Sequence, residues 1–199
     1  MGKRGAFIVI EGLDGSGKST QAKMLAAALR KEYDVVCTVE PSRGAIGRFI
    51  RNRILFERFR PSASVEALLF AADRIDHVQR EVAPALAEGR VVISDRYLYS
   101  SLAYQGSAGL SLDWIQTINV HSLKPDLALF IDVSPEVVLG RLRRKRSVME
   151  TLEIQQKVRN IYLRYVEKGE LAKIEGDNSK KTVAEKVLSV VCAFLNTRS

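Results

Sequence analysis

A chain of 199 residues, 46% hydrophobic and 27% charged, has the length for one domain with a substantial core and the make-up of an ordinary globular protein. No apolar run approaches the roughly 20 residues of a membrane span, and the apolar stretch after the polar Met1 to Ala6 is too short for a signal peptide. Cys37 and Cys192 stand far apart, which suggests neither a disulfide framework nor a zinc site and points to a reducing cytoplasm. The formal charge of +8 would suit a nucleic-acid partner. Two clusters account for it, however: six arginines against Glu57 between Arg43 and Arg60, and five basic residues without an acid between Arg141 and Arg146. The remaining residues sum to −2. Local clusters suit a compact polyanion better than a duplex, and arginine's planar fork favours bidentate phosphate contacts. No nucleic-acid or membrane partner is expected.

In chain order, Phe7-Ile8-Val9-Ile10 reads as a buried strand. Gly12-Leu13-Asp14-Gly15-Ser16-Gly17-Lys18-Ser19, followed by Thr20, matches G-x-x-x-x-G-K-[ST] at every fixed position. A helix is expected from Lys18 to Tyr33, with Leu25, Ala28 and Leu29 on one face. Strand, glycine loop and helix start together make a phosphate site: inward N–H groups and a helix N-terminus carry partial positive charge, and Lys18 adds a full one. Ser19 offers a hydroxyl to the magnesium ion that accompanies a nucleoside triphosphate.

Further strands are expected at Val35–Val39, Val91–Ser94, Leu127–Val133 and Ala172–Glu175. The spacing predicts helices at Ser64–Glu88, bent or shortened by Pro84, at Leu112–Leu123 and at Thr151–Lys168. Ser134-Pro135 begins another helix, and Thr182 with Glu185 forms a capping box for the last. Alternating strands and helices imply a mostly parallel three-layer α/β sheet with ligands at the strands' carboxyl ends. Asp14 and Lys18 follow the first strand, Glu40 to Arg51 the second, and Asp95-Arg96 the third. Trp114, His77 and His121 read as packing or surface residues, with no metal-ligand partners nearby in sequence.

Asp95-Arg96-Tyr97 after an apolar strand, then Ser100-Ser101-Leu102-Ala103-Tyr104-Gln105-Gly106, resembles the thymidylate kinases, a family of P-loop nucleoside monophosphate kinases. Glu11 to Thr20, Glu40-Pro41, Leu69 to Arg74 and Lys124 to Leu127 fit the same family in order, so the likeness spans residues 7 to about 175. It implies a single P-loop NTPase domain over 1–199: a five-stranded sheet flanked by helices, with a small arginine-rich lid around 141–150. It implies ATP as phosphoryl donor, Mg2+, dTMP as acceptor and a homodimer. The phosphate loop Gly12 to Thr20 would hold ATP, with Lys18 on the β/γ-phosphates and Ser19 and Asp95 at the metal. Asp14 would face the deoxyribose 3′-hydroxyl, while Arg51 and Arg96 would grip the acceptor phosphate. Phe70 would stack on thymine, Arg74 would reach a base carbonyl, and Ser101 and Gln105 would read the pyrimidine edge. Arg143, with Arg144 or Arg146, would belong to the lid.

Each assignment has a plainer rival. Phe70 sits in an apolar run and would also suit the core; Arg74 would also suit an ion pair with Asp73 or Asp76; Asp95-Arg96 would also suit a strand-end pair. For Tyr97, Tyr99 and Tyr104 packing and binding weigh equally. Two departures from the family stand out. Gly15 occupies a position where some members carry arginine, and the lid's usual Asp-Arg-x-Glu reads Ser147-Val148-Met149-Glu150. Transition-state charge is therefore expected from Arg141 to Arg146. Another P-loop nucleoside monophosphate or deoxynucleoside kinase is the nearest alternative, and a non-catalytic, ATP-dependent nucleic-acid-binding module a more distant one.

Overall fold

The computed structural model describes residues 5–55, 61–141 and 151–198. Its frame is an all-parallel sheet of β1 (Phe7–Gly12), β2 (Val35–Val39), β3 (Val91–Asp95), β4 (Leu127–Asp132) and β5 (Ala172–Glu175), in spatial order β2-β3-β1-β4-β5. Parallel neighbours need crossovers. Those are α1 (Lys18–Leu29), then α2 (Ala45–Phe49), α3 (Ala63–His77) and α4 (Ala83–Ala87), then α5 (Leu98–Ser107) and α6 (Leu112–Ile118), then α7 (Pro135–Arg141) and α8 (Leu152–Glu167). A last helix, α9 (Lys180–Asn196), follows β5.

All six residues of β1 are buried, as expected of a strand covered on both faces. The period of two puts Phe7, Val9 and Glu11 on one face. There Phe7 meets Tyr97 edge-on at 5.0 Å, and Phe130 of β4 stacks on Tyr162 of α8 at 4.8 Å between ring centroids. Burying such a ring contributes about 1.5–3 kcal/mol. Helices α1 and α9 pack on each other and on the sheet, as do α5 and α8. The register pairs Asp95 with both Ile10 and Val39, and Gly12 with Ile131. Glu11, Glu40 and Asp95 therefore leave the sheet at one end.

The five strands lie where the apolar runs put them, and several helix ends differ. α1 stops at Leu29, whose carbonyl accepts from the N–H groups of Glu32 and Tyr33 at 3.0 and 2.9 Å. The expected 64–88 helix is interrupted by a π-helical turn at Val78–Val82, which leaves Pro84 in the first turn of α4. Proline's missing N–H is tolerated there. α6 ends at Ile118, short of Leu123. The cap of α9 is Ser179, whose hydroxyl accepts from Thr182 N at 3.1 Å, so the Thr182–Glu185 box lies inside the helix rather than at its start. α7 does begin at Pro135, and Thr151 caps α8 by accepting from Ile154 N at 3.3 Å. The expected lid residues Arg143 to Glu150 lie outside the described residues. Among the described residues no helix is long and apolar enough to cross a membrane.

Candidate active site

The loop Gly12 to Ser19 joins β1 to α1. Gly17 caps α1 with φ 96° and ψ 8°, left-handed backbone that glycine adopts without steric cost. A Cβ at Gly12 would lie 2.7 Å from Ile131 O, so only glycine lets the loop leave the sheet here. Lys18 and Ser19 open α1, and their N–H groups lack intrahelical acceptors. Lys18 is 5% exposed and donates from Nζ to Leu13 O at 2.7 Å. Burial, and Arg96 after it, pushes its pKa down to about 8, while Asp14, Asp95 and Glu11 pull the other way.

Ser19 Oγ donates to Asp95 Oδ2 from across the β1–β3 boundary. Asp95 is buried, and its Oδ1 has no hydrogen-bond partner among the described residues. A hydroxyl and a carboxylate with an unused oxygen form a hard donor set. It suits the way Mg2+ is held, by one or two carboxylates together with substrate phosphates and water.

Arg96 is where the loop meets the third strand exit. It is the described non-glycine residue with positive φ, at 73°. Its N–H donates to Ile10 O at 3.0 Å, and its carbonyl accepts from Ser94 Oγ at 2.7 Å. The guanidinium pairs with Asp14, donates to Ser100 Oγ at 3.1 Å and lies 5.2 Å from the centre of the Tyr104 ring. Tyr104 in turn accepts from Asp14 N at 3.0 Å through its hydroxyl. Burial alone would raise the Asp14 pKa; Arg96 and Lys18 nevertheless hold it below the usual carboxylate value. The strand-end pair is thus Arg96–Asp14, not Arg96–Asp95.

The second cluster lies between α3 and α5. Glu66, Phe70 and Arg74 recur at four-residue intervals on α3, which stacks them along one side of the helix. Phe70 is half-buried and lies outside the main apolar core, so the core-packing rival is not what the fold adopts. Arg74 is 1% exposed. It donates from Nε to Glu40 Oε2 at 2.9 Å, from Nη1 to Asn119 Oδ1 at 2.6 Å, and from Nη2 to Tyr97 O and Ser101 Oγ at 3.2 and 3.0 Å. Gln105 faces α3, donates to Glu66 Oε1 at 3.3 Å and keeps a buried Oε1 without a partner among the described residues. Arg51, on the π-helical turn Ile50–Ile54 that follows α2, donates to Pro41 O across the cis Glu40-Pro41 peptide's loop. Asp73 holds that loop by accepting from Ser42 N and Oγ, both at 2.6 Å.

Sequence motifs alone did not reveal Asn119, the Tyr104 hydroxyl or His77 as parts of this assembly. Buried His77 bridges Thr38 Oγ1 at 2.7 Å and Glu40 Oε1 at 3.1 Å. His121 is exposed, and Trp114 is packed partly against the core. Tyr97 and Tyr99 are core residues. The assigned residues Lys18, Asp14, Ser19, Asp95, Arg96, Arg51, Phe70, Arg74, Ser101 and Gln105 are all described, and Arg143 is not.

Along most of its length the chain is similar to known proteins. A family model described as thymidylate kinase matches residues 10–187. The probable thymidylate kinase of Pyrococcus abyssi is 47% identical over 172 residues, covering 82% of this chain and 84% of that protein. That of Thermococcus gammatolerans is 41% identical over 199 residues, covering 94% and 96%. That of Methanococcus vannielii is 43% identical over 162 residues, covering 81% and 78%.

Proposed function

The chain belongs to the thymidylate kinase family, and from that premise we propose that it transfers the γ-phosphoryl group of ATP to dTMP, giving ADP and dTDP. A phosphate oxygen of dTMP attacks the γ-phosphorus; the bond to the β–γ bridging oxygen breaks, and that oxygen leaves with ADP. Such a transfer needs alignment and cations around spreading negative charge rather than a protein base. The observation that carries the reading is the position of Arg96, paired with phosphate-loop Asp14 and bonded to Ser100 of the pocket helix. That position suits a guanidinium set between a donor triphosphate and an acceptor phosphate.

The roles follow from the chemistry of each side chain. Lys18 holds the β/γ-phosphates, and Arg51 joins Arg96 on the acceptor phosphate. Ser19 and Asp95 would hold Mg2+, which would supply charge neutralisation to the transferring phosphates. Asp14 meets the 3′-hydroxyl once a phosphate draws Arg96 away from it. Phe70 stacks on the base, the remaining Nη1 hydrogen of Arg74 serves a base carbonyl, and Ser101 and Gln105 read the pyrimidine edge. The cationic cover of the transferring group is assigned to Arg143 with Arg144 or Arg146, on sequence alone. A cytoplasmic setting belongs to the same proposal.

Phe70→Ala is expected to raise KM for dTMP about 10-fold, since base–aromatic stacking is worth roughly 1–3 kcal/mol, and to leave KM for ATP within about twofold. Equal effects on both nucleotides would assign Phe70 to packing instead. The homodimer is supported by the side of α3 turned away from the core: Val65 and Leu68 are 46% and 49% exposed, and Ala72 is exposed beside them. Sedimentation velocity should give a dimer for the wild type and a monomer for Leu68→Lys; a monomeric wild type ends that proposal. The reaction itself is tested by turnover on dTMP, dUMP, dCMP, dGMP, AMP and thymidine. dTMP should lead the panel, and best activity on a purine monophosphate or on thymidine overturns the assignment.

A further inference from the structure

Glu11 is the one acidic residue of β1, stands immediately before the phosphate loop, and has no part in the reaction described above. It is 0% exposed. Oε1 accepts from the backbone N–H groups of Tyr97 and Ser100 at 2.9 and 3.2 Å, and Oε2 accepts from Ser100 Oγ at 2.6 Å and Tyr162 OH at 3.1 Å. A carboxylate offers about four lone-pair sites, and all are used.

Two of these partners are N–H groups at the start of α5, where backbone donors lack full intrahelical partners; Ser100 N–H also reaches Tyr97 O at 3.1 Å. Tyr97 is the N-cap residue of α5, and its own side chain makes no capping bond. In an ordinary N-terminus a Ser, Thr, Asp or Asn at that position accepts from the third helical N–H, and a Glu inside the helix returns to the N-cap N–H. Here one carboxylate, 86 and 89 positions away in sequence, does both. Its charge also complements the helix dipole.

Arg96 lies between the strand exit and this cap. A left-handed arginine persists only where its surroundings over-determine it. Its N–H is held by Ile10 O and its carbonyl by Ser94 Oγ; the next N–H, that of Tyr97, is held by Glu11. The guanidinium is tied to the same carboxylate through one hydroxyl: Ser100 Oγ accepts from Arg96 Nη1 and donates to Glu11 Oε2. We propose that Glu11 is the positioning residue for Arg96, capping α5 from β1 so that the left-handed turn and the Ser100 relay aim the guanidinium at the acceptor phosphate.

This inference rests on Arg96 gripping the acceptor, as set out under the proposed function. It is tested with the full chain and whichever monophosphate leads the substrate panel, so that a wrong substrate and a wrong role for Glu11 are read separately. Glu11→Gln keeps the side chain's volume and one acceptor oxygen but loses the charge and half of the cap. It should raise KM for the acceptor about 10- to 100-fold, the scale of an ångström-level misplacement, with KM for ATP within about twofold. Placed on an Arg96→Ala background, the same change should cost almost nothing further, because residues that act as a unit are not additive. Equal losses on ATP and acceptor, or losses that simply add in the double variant, would overturn the proposal and leave Glu11 a structural residue of the loop. An unfolded Glu11→Gln protein, seen as a lost cooperative thermal transition, would likewise assign it to the fold.

Discussion

Replacing Lys18 with methionine is expected to abolish turnover and to raise the melting temperature in the same variant. The two effects come from one environment. Lys18 is 5% exposed, and burial, ahead of the neighbouring Arg96, brings its pKa down to about 8. Below that pH the folded protein holds an ammonium in a site that resists it, whereas the unfolded chain holds it in water. Because the folded value lies below the unfolded one, the penalty is full under pH 8 and fades as pH rises toward 10.5. At neutral pH it amounts to about 3 kcal/mol before relaxation. Methionine fills similar space without the charge, and each kcal/mol recovered raises the melting temperature about 2–4 °C in a chain this long. The activity loss should be at least about 100- to 1,000-fold, the cost of removing one preorganised donor from transferring charge. Measurable turnover near the wild-type rate would remove Lys18 from the site. Lost turnover with a lower melting temperature would mean that the lysine's bond to Leu13 O outweighs its burial.

The second large effect concerns Arg96, whose side chain and backbone can be tested apart. Both Arg96→Ala and Arg96→Gly should cut kcat/KM for dTMP about 100- to 1,000-fold, because each deletes the guanidinium. They should differ in stability. At φ 73° alanine meets the left-handed penalty of about 1–2 kcal/mol, which glycine avoids although its unfolded chain is more flexible. The glycine variant should therefore be the more stable by about 1 kcal/mol in denaturant unfolding. ATP binding should survive in both, since the lysine and the loop amides remain. Near-normal dTMP kinetics would show that the acceptor phosphate is held elsewhere, and equal stabilities would show that the turn relaxes in solution.

Much of this was legible in the residues. Four strands announced themselves as apolar runs and β5 as an alternating one, and the phosphate loop and the Asp95-Arg96-Tyr97 exit are fixed local patterns that need no tertiary knowledge. Pairings across the fold were less legible. Asp73 and Asp76 were the rival partners for Arg74 by proximity in sequence, yet helix neighbours one and two positions apart do not face each other. The partner is Glu40, brought over by β2 at 2.8 Å. Glu11 reads as part of the loop motif, and its capping of α5 depends on the pairing of β1 with β3, which no local window contains. Ser179 displaced Thr182 as a cap because both have suitable side chains and only the packing of α9 decides between them.

The guanidinium of Arg74 has a consequence for redesign. It fastens the exit of β2 through Glu40, the end of α6 through Asn119 and the start of α5 through Tyr97 and Ser101. Exchanging it would leave the buried Glu40 carboxylate with His77 alone among the described residues, and breaking a buried ion pair typically costs about 3–5 kcal/mol; the exit of β2, the start of α5 and the end of α6 would loosen together. Redesign of the proposed base pocket should therefore leave α3 intact and start from the opposite wall, where Gln105 carries fewer attachments.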